Sequence, residues 1–300
     1  MKILLTGASG FVGAHLLKQL LLKFADDQVV ALGSQQLPGV SCIVVPGHDL
    51  SALADDVFND VDVLIHAGAY TPKNGREAND LRRCGSNIRF TEDLLGFEFA
   101  ALKKVVFTST LDVYAAAELI SEATPVGPAT LYGASKLYGE KMVEAFAVSR
   151  GIDHAILRLG HIYGPGEEAY QKMLPLTIAN VLSGKPVQLF GSGGELRSFI
   201  YIDDVVTSLL NAITLQLPSP VVNVVGGNPV SIRALIDKII SIAGEKVEIV
   251  QQPATTQGRD FVFDNSLLKT TLLQSEFDFD QGLTVEIEYM RRTLTGPEAR

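Results

Sequence analysis

The opening stretch MKILLTGASGFVG constrains the fold more than any other part of the chain. A short apolar run ends at Thr6, glycines follow at positions 7, 10 and 13, and an amphipathic pattern continues from Phe11 to Phe24. A strand that turns through glycines directly into a helix leaves the first helical N–H groups unpaired. Glycines let the backbone approach a pyrophosphate closely, and the positive end of the helix dipole favours the anion. The pattern predicts a dinucleotide cradle built by Gly7, Gly10, Phe11, Val12 and Gly13. A purely structural turn is the alternative.

The rest of the first half repeats the same alternation. Strands are expected at Lys2–Thr6, Gln28–Leu32, Cys42–Val45, Val61–His66, Lys104–Ser109 and His154–Leu159. Helices are expected at Phe11–Phe24, Leu50–Val57, about Glu77–Ala100, and Leu131–Arg150. Strands such as VDVLI and KVVF are continuous apolar runs, as when both faces of a sheet are buried. An α/β fold follows: a doubly wound parallel sheet of the Rossmann type, covered by helices on both faces. The nine or so residues Gly33–Ser41 are too few for a helical crossover, so an irregular link is expected there. After Gly164 the elements shorten and are punctuated by SGKP, GSGG and GGNP. These predict a second, smaller α/β region on the C-terminal side, where such sheets bind ligands. The division expected is 1–164 with about 201–225 for the dinucleotide, and about 165–200 with 226–300 for a substrate. The tail TGPEAR is expected to fray.

Composition sets the outer limits. The chain has 300 residues, 47% of them hydrophobic, and a net charge of −9. No Lys/Arg run offers a nucleic acid or an anionic membrane a basic surface. No apolar run reaches the ~20 residues of a membrane span, and the N-terminus carries no signal-peptide pattern. A cytoplasmic protein is expected. Cys42 and Cys84 have no redox or metal spacing, and no metal site is predicted.

The end of the second strand selects between NAD and NADP. A carboxylate there bonds the ribose 2′-OH and repels a 2′-phosphate. Here that position falls on Gly33, followed by Ser34, which offers one hydrogen bond. The missing acid tilts the expectation slightly to NADP. Asp49, after the third strand, is either an acceptor for an adenine amino group or a helix N-cap.

The chemistry concentrates in PATLYGASKLYGEKM. Tyr132 and Lys136 lie four apart and share a helix face. A phenol with a pKa near 10 is a poor base, and a neighbouring ammonium is expected to move it towards neutrality. A solvated helix face is the bland alternative for such a pair. Upstream, KKVVFTSTLDVY places Ser109 and Thr110 at the end of a buried strand, where a hydroxyl either bonds a substrate oxygen or caps the strand.

TGASGFVG, DVLIHAGA (Asp62–Ala69), VVFTSTLDVY, Tyr132 with Lys136, LRLGHIYGPG and GSGGELRSFIYIDDV resemble, in order and spacing, the extended short-chain dehydrogenase/reductase family. Its nucleotide-sugar epimerase/dehydratase branch is nearest. The resemblance implies an NAD(P)-dependent oxidoreductase acting on a nucleotide-linked sugar, as an epimerase or a 4-ketoreductase. It implies Tyr132 for proton transfer, Lys136 on the nicotinamide ribose and Thr110 at the Ser/Thr position. Ala67 and Gly68 would join the cofactor loop, and Asp49 with Leu50 match an adenine contact. Asn87, His161, Arg197 and Arg259 would face the substrate; for Arg197 an exposed ion pair is the alternative. A homodimer through the two long helices is implied as well.

The chain departs from the pattern at several places. His161 stands where the family often has Asn. Leu111 and Asp112 stand where the dehydratases have Asp and Glu, which argues against 4,6-dehydration. Arg259 lies closer to Asp264-Asn265-Ser266 than the family's late Arg. A dehydratase or decarboxylase of the same family, or a non-catalytic NAD(P) sensor, are the alternatives. His66 is expected to support the fold.

Overall fold

The computed structural model describes residues 1–254 and 258–295, so the expected fraying from Gly296 onward lies outside the described residues. In chain order the first half comprises β1 (Ile3–Thr6), α1 (Phe11–Lys23), β2 (Val29–Gly33), β3 (Ser41–Val44), β4 (Val63–His66), α2 (Leu81–Leu95), β5 (Lys104–Thr110), α3 (Leu131–Arg150) and β6 (Asp153–Leu159). The second half comprises β7 (His161–Tyr163), α4 (Met173–Leu182), β8 (Val187–Phe190), β9 (Leu196–Tyr201), α5 (Ile202–Thr214), β10 (Val221–Val224), β11 (Pro229–Ser231), α6 (Ile232–Ala243), β12 (Ile249–Gln252), α7 (Ser266–Thr271) and α8 (Phe279–Thr295).

Seven strands form one sheet in the order β10-β6-β5-β4-β1-β2-β3, and every pairing is parallel. Alternate residues serve opposite faces, which explains the unbroken apolar runs. Ile3, Leu5, Val29, Ala31, Ile65 and Val106 join the core under α1 and α5, whereas Leu4, Val30, Leu32, Leu64, Val105 and Phe107 join the core under α2 and α3. Burying each of these side chains other than Ala31 contributes about 1.5–3 kcal/mol. The chain reverses its direction of winding between β1 and β4, so the loops after those two strands part and leave a crevice at their carboxyl ends.

β2 and β3 pair in parallel across a helix-free link in which the Gln36 amide donates to the carbonyls of Leu37 and Val40. The expected helix at Leu50–Val57 does not form. Its place is taken by successive turns, Leu53 N–H to Leu50, Val57 to Ala54 and Asn59 to Asp56. Leu50 and Phe58 are buried, so the apolar spacing is used, but Asp55 and Asp56 would sit at the unfavourable end of a helix dipole. The helix expected over about 77–100 is shorter: the Asp80 carboxylate accepts from the Arg83 N–H and starts α2 there, after a single tight turn at Glu77–Asn79.

β7, β9 and β11 form a small mixed sheet, and β8 pairs with β12. α5 and β10 return to the large sheet, while α4, α6 and α8 pack together around the small ones. No helix among the described residues is long and apolar enough to cross a membrane.

Candidate active site

The glycine loop is as tight as its sequence suggests. Gly7 has φ +74°, and a Cβ there would sit 2.6 Å from the Gly68 nitrogen. A Cβ on Gly13 would lie 1.9 Å from the Gly7 carbonyl oxygen. α1 begins at Gly10 without any side-chain cap, which leaves its first N–H groups open. The Thr6 hydroxyl accepts from Gly68 N–H and pairs with Nδ1 of His66; Nε2 of His66 pairs with the Thr91 hydroxyl. This buried chain ties the ends of β1 and β4 to α2. Burial drives the His66 pKa down to about 3, with the charge of Lys136 adding to the effect, so the ring is neutral and supports the fold.

Beside the loop opens a cavity of about 1500 Å³. Gly7, Gly10, Phe11, Val12, Gly13, Ser34, Ala67, Gly68, Asn87, Thr110, Tyr132, Lys136, His161 and Arg197 all reach its wall. The sequence thus selected residues from both regions that the fold brings into one space. Asp49 and Leu50 do not reach it: Gly47 and His48 take that place. Both have positive φ, 67° and 61°, and turn the chain before Asp49. The Asp49 carboxylate accepts from the Ser51 N–H instead, capping a turn, and Leu50 is buried in the core. Arg259 does not line the cavity either. It lies behind the wall, its Nη2 donating to the Ala115 carbonyl and its guanidinium 4.6 Å from the Phe261 ring centre.

Tyr132 and Lys136 are buried on α3, which Thr130 caps through the Gly133 N–H. Gly133 is needed for a close approach: a Cβ would lie 2.4 Å from the Asp112 carbonyl oxygen, where the turn after β5 touches the helix. Thr71 and Thr110 line the cavity wall with Tyr132 and favour the ionised form of its phenol. Burial, and then the charge of Asp112, raise this phenol well above the usual range, and Thr71 and Thr110 offset only part. The expected shift towards neutrality is therefore not found. Desolvation penalises both charged forms, and it pulls Lys136 down to about 7 against the opposing pull of Glu140. Lys136 Nζ lies 4.2 Å from the centre of the Phe107 ring.

The structure supplies partners for several of these residues that the sequence reading did not name. Asp112 is exposed to the cavity, its carboxyl raised by desolvation. The Ser109 hydroxyl is not free for a ligand; it donates to the buried carboxylate of Glu140, which Arg158 also grips. The Asn87 amide is engaged by the protein: Oδ1 accepts from Tyr70 N–H at 2.7 Å, and Nδ2 donates to the Tyr70 carbonyl and to Ser135. Asn87 thereby pins the loop carrying Thr71. The His161 ring packs against Phe199 and Phe261, and burial, then the charges of Arg197 and Lys172, lower it to about 3. Its Nδ1 is buried without a partner among the described residues. Arg197 is half-buried and donates through Nη1 to the carbonyls of Leu196 and Arg259. None of these long-range pairings has a local signal in the sequence.

A parallel sheet with a glycine-lined crevice at its switch point defines the class, a Rossmann-type α/β protein. Within that class the chain belongs to the NAD dependent epimerase/dehydratase family, whose model matches residues 3–226. It is 29% identical to the uncharacterized UDP-glucose epimerase YtcB of Bacillus subtilis (strain 168), over 99% of this chain and all of that protein. It is 26% identical to a dTDP-glucose 4,6-dehydratase of Streptomyces niveus, over 97% of this chain and 93% of the relative. Among solved structures it resembles a UDP-glucuronic acid 4-epimerase of Bacillus cereus in complex with UDP-glucuronic acid and NAD. That match has a TM-score of 0.81 and 26% identity, and covers 98% of this chain and 100% of the other.

Proposed function

We propose that this chain is a nucleotide-sugar 4-epimerase that uses NAD, with Tyr132 as its proton-transfer residue. The observation that carries this reading is the meeting of Tyr132, Thr110 and Lys136 on one cavity wall beside the Gly7–Gly13 cradle. The cradle fits a pyrophosphate, because Gly7 and Gly13 keep side chains out of it and α1 points uncapped N–H groups there. When bound, the dinucleotide supplies the two-electron redox chemistry at the sugar. Tyr132 takes the proton of the sugar C4 hydroxyl and returns it after the sugar turns over. Thr110 orients that hydroxyl, and Thr71 and Thr110 offset part of the burial that keeps the phenol protonated. Lys136 holds the nicotinamide ribose. Arg197 offers its free guanidinium edge to the substrate diphosphate, and neutral His161 offers one ring nitrogen to the sugar. We assign dinucleotide binding to 1–164 and about 201–225, and sugar recognition to about 165–200 and 226–300, with β7 already in the second sheet.

The cofactor of the solved relative supports NAD; the slight tilt to NADP suggested by Gly33 finds no support among the relatives. The alternative of 4,6-dehydration has Asp112 in its favour, since a carboxyl faces the cavity. Against it, Leu111 is buried in a core cluster and puts no acid beside Asp112. A homodimer through α2 and α3 is supported by Leu81, Tyr138 and Val148, which are 78%, 55% and 70% exposed on those helices.

The test incubates the protein with UDP-glucose and NAD. The C4 epimer should accumulate without net cofactor consumption, and Tyr132→Phe should abolish turnover while cofactor affinity stays within about twofold. Full activity in that variant would remove Tyr132 from the mechanism. Stoichiometric consumption of reduced cofactor by a 4-keto sugar nucleotide would replace epimerisation by ketoreduction.

A further inference from the structure

Tyr132, Lys136 and Glu140 follow one another at intervals of four along α3 and so share one face. All three are buried, at 9%, 4% and 2% exposure. The Glu140 carboxylate is fixed from two neighbouring strands. Arg158 on β6 donates from Nε at 2.9 Å and Nη2 at 2.7 Å, a bidentate grip, and Ser109 on β5 donates its hydroxyl to Oε1. Arg158 is held in turn over the Tyr114 ring, at 4.7 Å, and the Tyr114 hydroxyl donates to Asn223. A buried ion pair of this kind adds little stability over well-packed apolar side chains, so its retention calls for another reason.

The neighbours of Lys136 supply one. The amine meets the face of Phe107 on β5; the titratable groups that act on it are His66 on β4, whose ring is neutral, and Glu140, one helical turn along the same buried face of α3. Burial favours the uncharged amine and brings Lys136 to about 7; Glu140 is the charge that opposes this. The aromatic face assists the cation weakly.

We propose that Glu140 is a positioning residue: its carboxylate, clamped by Arg158 and Ser109, keeps Lys136 an ammonium on the buried face of α3 that carries Tyr132. The proposal rests on the reading of Tyr132 and Lys136 given above. It goes further in assigning the charge state of the lysine to a residue that touches neither substrate nor cofactor. An ammonium is required to hold a ribose hydroxyl and to favour a neighbouring phenolate, so loss of its proton ends activity. The active form therefore lies on the acid side of the lysine midpoint.

The experiment measures that midpoint directly. Acetic anhydride reacts only with the free amine, so the rate of Lys136 acetylation against pH, followed by peptide mass spectrometry in the absence of cofactor, reports its protonation. In Glu140→Gln the midpoint should fall by about one pH unit, a tenfold change in the acid dissociation constant. The alkaline limb of kcat should move by the same amount, so activity lost at high pH returns at low pH. Glu140→Gln leaves Arg158 buried without its partner; the double variant Glu140→Gln/Arg158→Gln removes both charges and should show the same displacement. A folded variant of either kind, with a native circular dichroism spectrum and an unmoved Lys136 midpoint, overturns the proposal. Undiminished turnover in Tyr132→Phe would instead sink the proposed reaction, while the acetylation midpoint still decides the role of Glu140.

Discussion

Substituting Gly13 by alanine tests the cradle at its narrowest point. The added Cβ would lie 1.9 Å from the Gly7 oxygen, 2.7 Å from the Gly7 carbonyl carbon and 3.1 Å from the Ala8 Cα, more than an ångström closer than real Cβ contacts at the first of these. All three obstacles are backbone, and Gly7 itself, at φ +74°, lies against the Ala67–Gly68 backbone, so no flexible side chain can swing away. Overpacking of this kind costs about 1–3 kcal/mol, and the rigid obstacle puts Gly13→Ala near the top. Alanine regains about 1 kcal/mol of helix propensity. For a chain of 300 residues, a net loss of about 2 kcal/mol should lower the melting temperature by about 3 °C. The loop must move away from the anion it cradles, so NAD affinity by calorimetric titration should fall at least about tenfold, or ~1.4 kcal/mol. Gly10→Ala is the comparison: its Cβ meets only the Gly7 oxygen, at 3.3 Å. There the melting cost should stay at about 1 kcal/mol or less, mainly from the poorer N-cap. If Gly13→Ala melts and binds NAD like the unmodified protein, or Gly10→Ala loses more stability, the contact geometry described for this loop is wrong.

Two further predictions concern pH. Glu286 on α8 and Glu167, before α4, are buried carboxyls whose pKa values are both raised by desolvation; Glu286 is raised further by the charge of Glu167. Both Glu286 oxygens lack a partner among the described residues. The folded state then holds more protons than the unfolded one above the carboxylate range, so stability falls as pH rises from there. Glu286→Gln should flatten that alkaline decline in chemical denaturation series; an unchanged slope would count against it. His66 has the opposite sign. Its folded pKa of about 3 lies below the ordinary imidazole value of 6.5, so stability should be lost as pH falls through that window, at up to about 1.4 kcal/mol per unit. His66→Gln should reduce the slope between those limits, and a slope equal to that of the unmodified protein would refute the assignment.

What the sequence determined by itself is local. Strand-end glycines need particular backbone conformations, apolar runs have a period, and Tyr132 and Lys136 share a face because helical geometry fixes residues four apart. These features gave the parallel sheet, the cradle and the Tyr/Lys/Thr set. Where local signals conflicted, the reading failed: Leu50, Leu53 and Val57 have helical spacing, yet Asp55 and Asp56 oppose the dipole and turns form instead. Tertiary structure alone decided the rest. Asn87 is occupied by Tyr70, and Asp49 turns away from the cavity behind Gly47 and His48. The Tyr132 phenol is raised and the Lys136 ammonium weakened. Burial and the meeting of Ser109, Glu140 and Arg158 from three separate elements are properties of assembled space. Desolvation depends on how many atoms surround a group, and no stretch of chain carries that information by itself.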